Sequence, residues 1–187
     1  MLSESDRPPL DISGSIFLVG LMGAGKTSVG RQLAKRCGKK FYDCDLEIER
    51  RTGVKISVIF DIEGEEGFRA RETVLLHELT PLPDIVLATG GGAVLRAENR
   101  RMLKEHGTVI YLRASLDEIL QRTRHDRSRP LLQTADPRGK LEELFIQRDP
   151  LYNEIANLVV DTGNQSVRSL VQKLEQGLLE KCGGMHP

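Results

Sequence analysis

The stretch Gly20-Leu-Met-Gly-Ala-Gly-Lys-Thr27, directly after the apolar run Ile16-Phe-Leu-Val19, limits what this chain can fold into. It fits G-x-x-x-x-G-K-[ST] between a predicted strand and a predicted helix. The glycines let the backbone turn so that successive N–H groups converge, at a helix N-terminus that favours anions. Lys26 can reach the β- and γ-phosphates of a nucleoside triphosphate, and the Thr27 hydroxyl can take a place on Mg²⁺. The residues Gly23, Ala24, Gly25, Lys26, Thr27 and Ser28 are the expected nucleotide cradle.

The rest of the chain supplies the framework such a cradle needs. Apolar runs at 16–20, 40–43, 85–89, 108–112 and 157–161 read as strands, with helical patterns between them. Val29, Leu33 and Cys37 recur at helical spacing and Gly38 follows as a stop. Phe68, Leu75 and Leu79 share a face in a long helix that Gly64 opens and Pro81 closes. Further helices are expected at 97–106, 115–123, 138–148, 150–156 and 166–181. Strand–helix alternation predicts one α/β domain, a parallel sheet covered on both faces. Residues 1–14 read as a loose arm, 15–182 as the domain and 183–187 as a frayed tail.

Composition excludes several roles. Lysine plus arginine and aspartate plus glutamate number 27 each, so no general field draws the chain to nucleic acid or an anionic membrane. Three cysteines without C-x-x-C spacing argue against a disulfide framework or a zinc site and fit a reducing compartment. No run approaches the roughly 18 apolar residues of a membrane span, and the expectation is a soluble cytoplasmic protein.

Cradles of this kind serve GTPase switches, motor ATPases and small-molecule kinases. Asp61-Ile-Glu-Gly64 matches D-x-x-G, but no N-K-x-D follows to read guanine. Leu158-Val-Val-Asp161 resembles a Walker B strand, yet only one helix follows it, so it reads as the last strand of the sheet.

Other clusters point to an acceptor. Asp43-Cys44-Asp45 closes the second strand, where carboxylates at i and i+2 would point the same way. One suits hydrated magnesium and the other a hydroxyl proton; an acidic strand exit with a helix N-cap is the plainer reading. Arg69 and Glu72 can pair on one helix face, with Arg71 pointing elsewhere. Such a pair is either a surface bridge or an arginine fork held ready for a carboxylate. Thr89-Gly-Gly-Gly92 permits close backbone approach to a ligand, or simply a tight bend. Residues 124–137 carry Arg124, Arg127 and Arg129 without periodicity, a length of loop that is usually functional or disordered.

Taken in order, these motifs resemble the shikimate kinase family, over about residues 15–180. The cradle, the D-x-D at Asp43–Asp45, G-E-x-x-F-R-x-x-E at Gly64–Glu72 and the triplet Gly90–Gly92 all have counterparts there. So do the lid R-P-L-L at Arg129–Leu132 and R-x-P-L-Y at Arg148–Tyr152. The resemblance implies a three-layer α/β/α P-loop kinase fold with a five-stranded parallel sheet of order 2-3-1-4-5. It implies an acceptor region at about 44–80 and a short lid at about 124–137, and the arginines of that loop predict that it moves when a triphosphate binds. It implies transfer of the ATP γ-phosphoryl group to the 3-hydroxyl of shikimate, with ATP/ADP and shikimate as partners; a monomer is expected. Asp45, Arg69, Gly91 and Arg148 would contact shikimate, with Gly90 and Gly92 beside it. Thr27 and Asp43 would serve Mg²⁺, and Arg129 would come from the lid to the phosphates. Lys26, Asp45 and Arg129 would be the catalytic set, with Arg122 and Gln165 near the adenine. A gluconate kinase of the same fold is the nearest rival, and a nucleotide-binding regulatory switch the rival from another class.

Overall fold

A computed structural model describes residues 10–126 and 128–183, with side chains to residue 180. Five strands form one parallel sheet: β1 (Ser15–Val19), β2 (Lys40–Asp43), β3 (Ile85–Ala88), β4 (Gly107–Arg113) and β5 (Leu158–Asp161). Their order is β2-β3-β1-β4-β5, the 2-3-1-4-5 arrangement implied above. Central β1 is buried along its whole length, with Phe17 in register with Leu87 on one side and Val109 on the other. A strand covered on both faces reads as a continuous apolar run, which is why 16–19 does not alternate.

The helices are α1 (Lys26–Cys37), α2 (Cys44–Thr52), α3 (Ile56–Leu79), α4 (Ala97–His106), α5 (Leu116–Thr123), α6 (Pro137–Ile155) and α7 (Val167–Gly183). With them the sheet makes a three-layer α/β/α domain. Among the described residues no helix is long and apolar enough to cross a membrane.

Four features differ from the sequence reading. The expected helices 138–148 and 150–156 are one helix, α6, with Pro150 inside it. Pro150 forfeits the hydrogen bond to the carbonyl of Ile146, and it does so on the exposed side of the helix, where Ile146 is 74% exposed. Asp45 does not continue β2. The strand ends at Asp43, which caps α2, and Asp45 lies in the first turn of that helix. The long helix begins at Ile56 and breaks at Gly64 (φ 69°, ψ 179°), so Gly64 divides two helical segments. Of the expected loose arm, residues 1–9 lie outside the described residues, whereas Leu10 bonds the carbonyl of Arg36 and Ile12 is buried. The expected tail beyond Gly183 also lies outside them, as does Arg127.

Parallel strands bring all their carboxyl ends to one edge of the sheet. The cradle leaves β1 there, Asp43 leaves β2 and the glycine triplet leaves β3.

Candidate active site

These three strand exits open onto a cleft of about 480 Å³. Its floor holds Lys26, Thr27, Asp43 and Asp45; one wall holds Arg69, Gly90–Gly92 and Arg148, and another Ser128–Leu131.

Gly25 sets the cradle's geometry. It occupies the helix N-cap at φ 95°, a left-handed conformation that side chains resist. Buried Lys26 turns back to donate to the carbonyls of Gly20 (2.7 Å) and Leu21 (2.8 Å). Burial, reinforced by the nearby positive charge of Arg129, lowers its pKa to about 8. The Thr27 hydroxyl donates to Asp43 Oδ2 at 2.5 Å, while Asp43 Oδ1 accepts from the Leu46 amide at 3.1 Å. One carboxylate thus starts α2 and faces the cradle; N-cap and site residue are the same residue.

The opposite wall is a compact polar cluster. Arg69 Nη1 donates to Glu72 Oε2 at 2.8 Å, and Glu72 is fully buried. The pairing expected on one helix face is present, and its burial makes it more than a surface bridge. A second carboxylate, Glu65, takes Arg69 Nη2 at 3.1 Å. Arg71 points away and pairs in solvent with Glu63. Arg148 is 1% exposed, and its Nε and Nη1 have no partner within the protein. Buried Asp45 Oδ1 and Glu72 Oε1 also lack partners. Unpaired buried donors and acceptors are costly, so a cluster of them argues for a ligand. Burial first, then the neighbouring Asp43 charge, raises the proton affinity of Asp45. Burial likewise raises that of Glu72, against the pull of Arg69.

The triplet explains how these charges fit behind a backbone. A Cβ on Gly90 would collide with Glu72 Oε1, and one on Gly92 with the Arg69 guanidinium. A methyl group at either position would displace a charged side chain.

Arg129 lies in the cleft wall and donates through Nε to Asp126 Oδ2 at 3.0 Å. Arg122, outside the lining, donates to the Gly23 carbonyl at 3.1 Å. Gln165 does not line the cleft; it sits after β5, 3.4 Å from the Asp161 carbonyl. Ala24 is buried behind the cradle, and Ser28 lines the cleft. The sequence reading missed Glu49, Lys55 and Phe60 in the cleft wall. Glu49 bonds both Lys55 (3.0 Å) and the Ile56 amide (3.1 Å), which joins α2 to the start of α3. Only the unremarkable spacing of these residues was visible in the chain.

Comparison with known proteins gives the family. The family model for shikimate kinase matches residues 22–178. A shikimate kinase of Chromobacterium violaceum is 63% identical over 90% of this chain and 92% of its own. One from Nitrosospira multiformis is also 63% identical, over 89% of this chain and 85% of its own. Among solved structures, the shikimate kinase of Acinetobacter baumannii in complex with shikimate superposes at TM-score 0.89, with 51% identity over 90% of this chain and 94% of that one. A gluconokinase from Sinorhizobium meliloti, 18% identical over 93% of this chain and 96% of its own, superposes at TM-score 0.64 and shares the fold alone. The chain belongs to the shikimate kinase family.

Proposed function

We propose that this chain transfers the γ-phosphoryl group of ATP to the 3-hydroxyl of shikimate, giving shikimate 3-phosphate and ADP for aromatic amino-acid synthesis. One observation carries the reading. Arg148 and Asp45, whose Nε, Nη1 and Oδ1 atoms are buried without protein partners, line the same cleft as a phosphate cradle. Two arginines suit a carboxylate and a buried carboxylate suits a hydroxyl, so the acceptor is a hydroxylated acid.

Phosphoryl transfer needs alignment and charge neutralisation more than covalent help. Lys26 exchanges its two carbonyl partners for phosphate oxygens, and the cradle amides hold the β-phosphate. The Thr27 hydroxyl and Asp43 carboxylate, 2.5 Å apart, are the hard oxygen donors that a magnesium ion prefers. Held there, the ion would supply positive charge against the phosphates. Asp45 takes the proton of the attacking hydroxyl, a role its raised proton affinity favours. Arg69 and Arg148 hold the acceptor's carboxylate, with Gly91 lying alongside and Gly90 and Gly92 leaving room. Arg129 trades Asp126 for the transferring phosphate as the 124–137 lid closes and excludes water. Arg122 and Gln165 lie on the adenine side. The chain works as a monomer in the cytoplasm.

The test is ADP release with shikimate, with gluconate and with no acceptor. Release that depends on shikimate is expected. Equal stimulation by gluconate would move the chain to the rival acceptor, and release indifferent to any acceptor would end the kinase reading.

The two carboxylates should separate kinetically. Asp45→Asn removes the proton acceptor and should lower kcat by about 10²–10⁴-fold at saturating ATP and Mg²⁺. Asp43→Asn should leave a deficit that added Mg²⁺ partly relieves. Matching magnesium titrations for the two variants would refute the division.

A further inference from the structure

We infer that Tyr152 is a positioning residue for the acceptor site, fixing Arg148 relative to Gly91 through its hydroxyl. The inference rests on the proposed acceptor site and deepens it.

Tyr152 is fully buried, one helical turn beyond Arg148 on the same face of α6. Its hydroxyl donates to the Gly91 carbonyl at 2.5 Å, across 61 residues of sequence. Arg148 and Tyr152 also interact side chain to side chain, the guanidinium and the phenol each acting on the other's proton affinity. A Cβ on Gly91 would lie 3.5 Å from Arg148 Nη1, so loop backbone and guanidinium are already in close approach. The tyrosine therefore bonds one member of this pair, Gly91, at the point where the other, Arg148, approaches it.

A second tyrosine holds the frame. Tyr111 of β4 packs its ring 4.9 Å from that of Tyr152 and donates its hydroxyl to Asp149 Oδ1 at 2.8 Å. Two ties follow Arg148 within one helical turn, one to the sheet through Asp149 and one to the triplet through Tyr152. The two ties differ in what they reach. Tyr111 fixes α6 against the sheet, whereas Tyr152 reaches the groups that face the cleft. A long arginine has several rotamers, and α6 alone does not select among them. With Nε and Nη1 unpaired, no bond from those atoms fixes the rotamer, and we assign its selection to the Tyr152 side chain.

Tyr152→Phe keeps the ring, its packing and its volume, and removes only the hydroxyl. Shikimate binding to the full chain, measured by calorimetry, should weaken about tenfold, because a buried carbonyl loses its donor and the fork loses its guide. Binding of a non-hydrolysable ATP analogue should change less than about twofold, since the cradle is built on α1 and not on α6. Tyr111→Phe, which removes the other tie, should weaken shikimate binding less than Tyr152→Phe does. In a double-mutant cycle, Tyr152→Phe should cost less in an Arg148→Lys background than in the wild type.

A loss shared equally by shikimate and the ATP analogue would overturn the inference, as would wild-type shikimate affinity or strict additivity with Arg148→Lys. Failure of the wild-type chain itself to bind shikimate would instead refute the acceptor assignment, so the two failures are distinguishable.

Discussion

Lys26→Ala is expected to lower turnover by about 10²–10³-fold or more while the chain stays folded, because one preorganised positive charge leaves the developing transition state. In the structure that charge is stored on two carbonyls of its own loop, at 2.7 and 2.8 Å, while Asp45 and Asp43 act on it through space. Carbonyls are exchangeable partners for phosphate oxygens, whereas a carboxylate partner would compete with them. The residue also gives the chain a pH dependence. Burial first, and Arg129 second, hold Lys26 near pKa 8. Below that value it is charged and ready. Above it, binding of the triphosphate must also take up a proton, because the phosphate charge raises the lysine pKa. Affinity for the ATP analogue should therefore fall as pH rises past about 8, and the fall should vanish in Lys26→Ala. Calorimetry in buffers of different ionisation enthalpy would detect the proton. A flat pH profile, or an active alanine variant, would contradict the role given to the lysine.

Arg69→Ala is expected to damage both use of shikimate and the fold, and the two losses can be separated. Removing Arg69 strips buried Glu72 of its 2.8 Å partner. A buried charge left unpaired in this way costs about 3–5 kcal/mol. The single variant should melt early and bind shikimate about 2–5 kcal/mol more weakly. The double variant Arg69→Ala/Glu72→Gln should regain much of the melting temperature, because the orphaned charge is gone, but not the shikimate affinity. Arg71→Ala breaks an exposed pair with Glu63 and should leave both measurements unchanged. Recovery of affinity in the double variant would mean that Arg69 serves Glu72 and not the acceptor.

What the sequence revealed follows from the range of the interactions involved. The cradle was legible because eight consecutive residues perform one local task. The sheet was legible because buried parallel strands are apolar without interruption. Helix α2 was not, since Leu46 is 47% exposed and only Cys44 and Ile48 are buried, too few to make a periodic face. The helix N-cap reading of Asp43–Asp45 holds, while the reading that set Asp45 in line with Asp43 on a strand does not, since the strand ends at Asp43. Pro150 misled for the opposite reason: a strong local signal was overruled by an exposed helix face. The cleft walls at Glu49, Lys55 and Phe60 depend on how α2 and α3 meet, which no neighbouring residues encode. Tyr152 stood in a quoted motif without a task, because its partner, Gly91, lies 61 residues away.

The unpaired atoms of Arg148 and Asp45 set the interests of folding and activity against each other. A buried guanidinium with idle donors opposes folding, and an apolar side chain of similar volume would ease packing there. Selection for heat resistance alone would accordingly drift toward such replacements and yield hardier, inert chains. A programme of thermal engineering on this protein should keep Arg148 and Asp45 fixed and seek its gains on surfaces far from the cleft, where stability and activity do not compete.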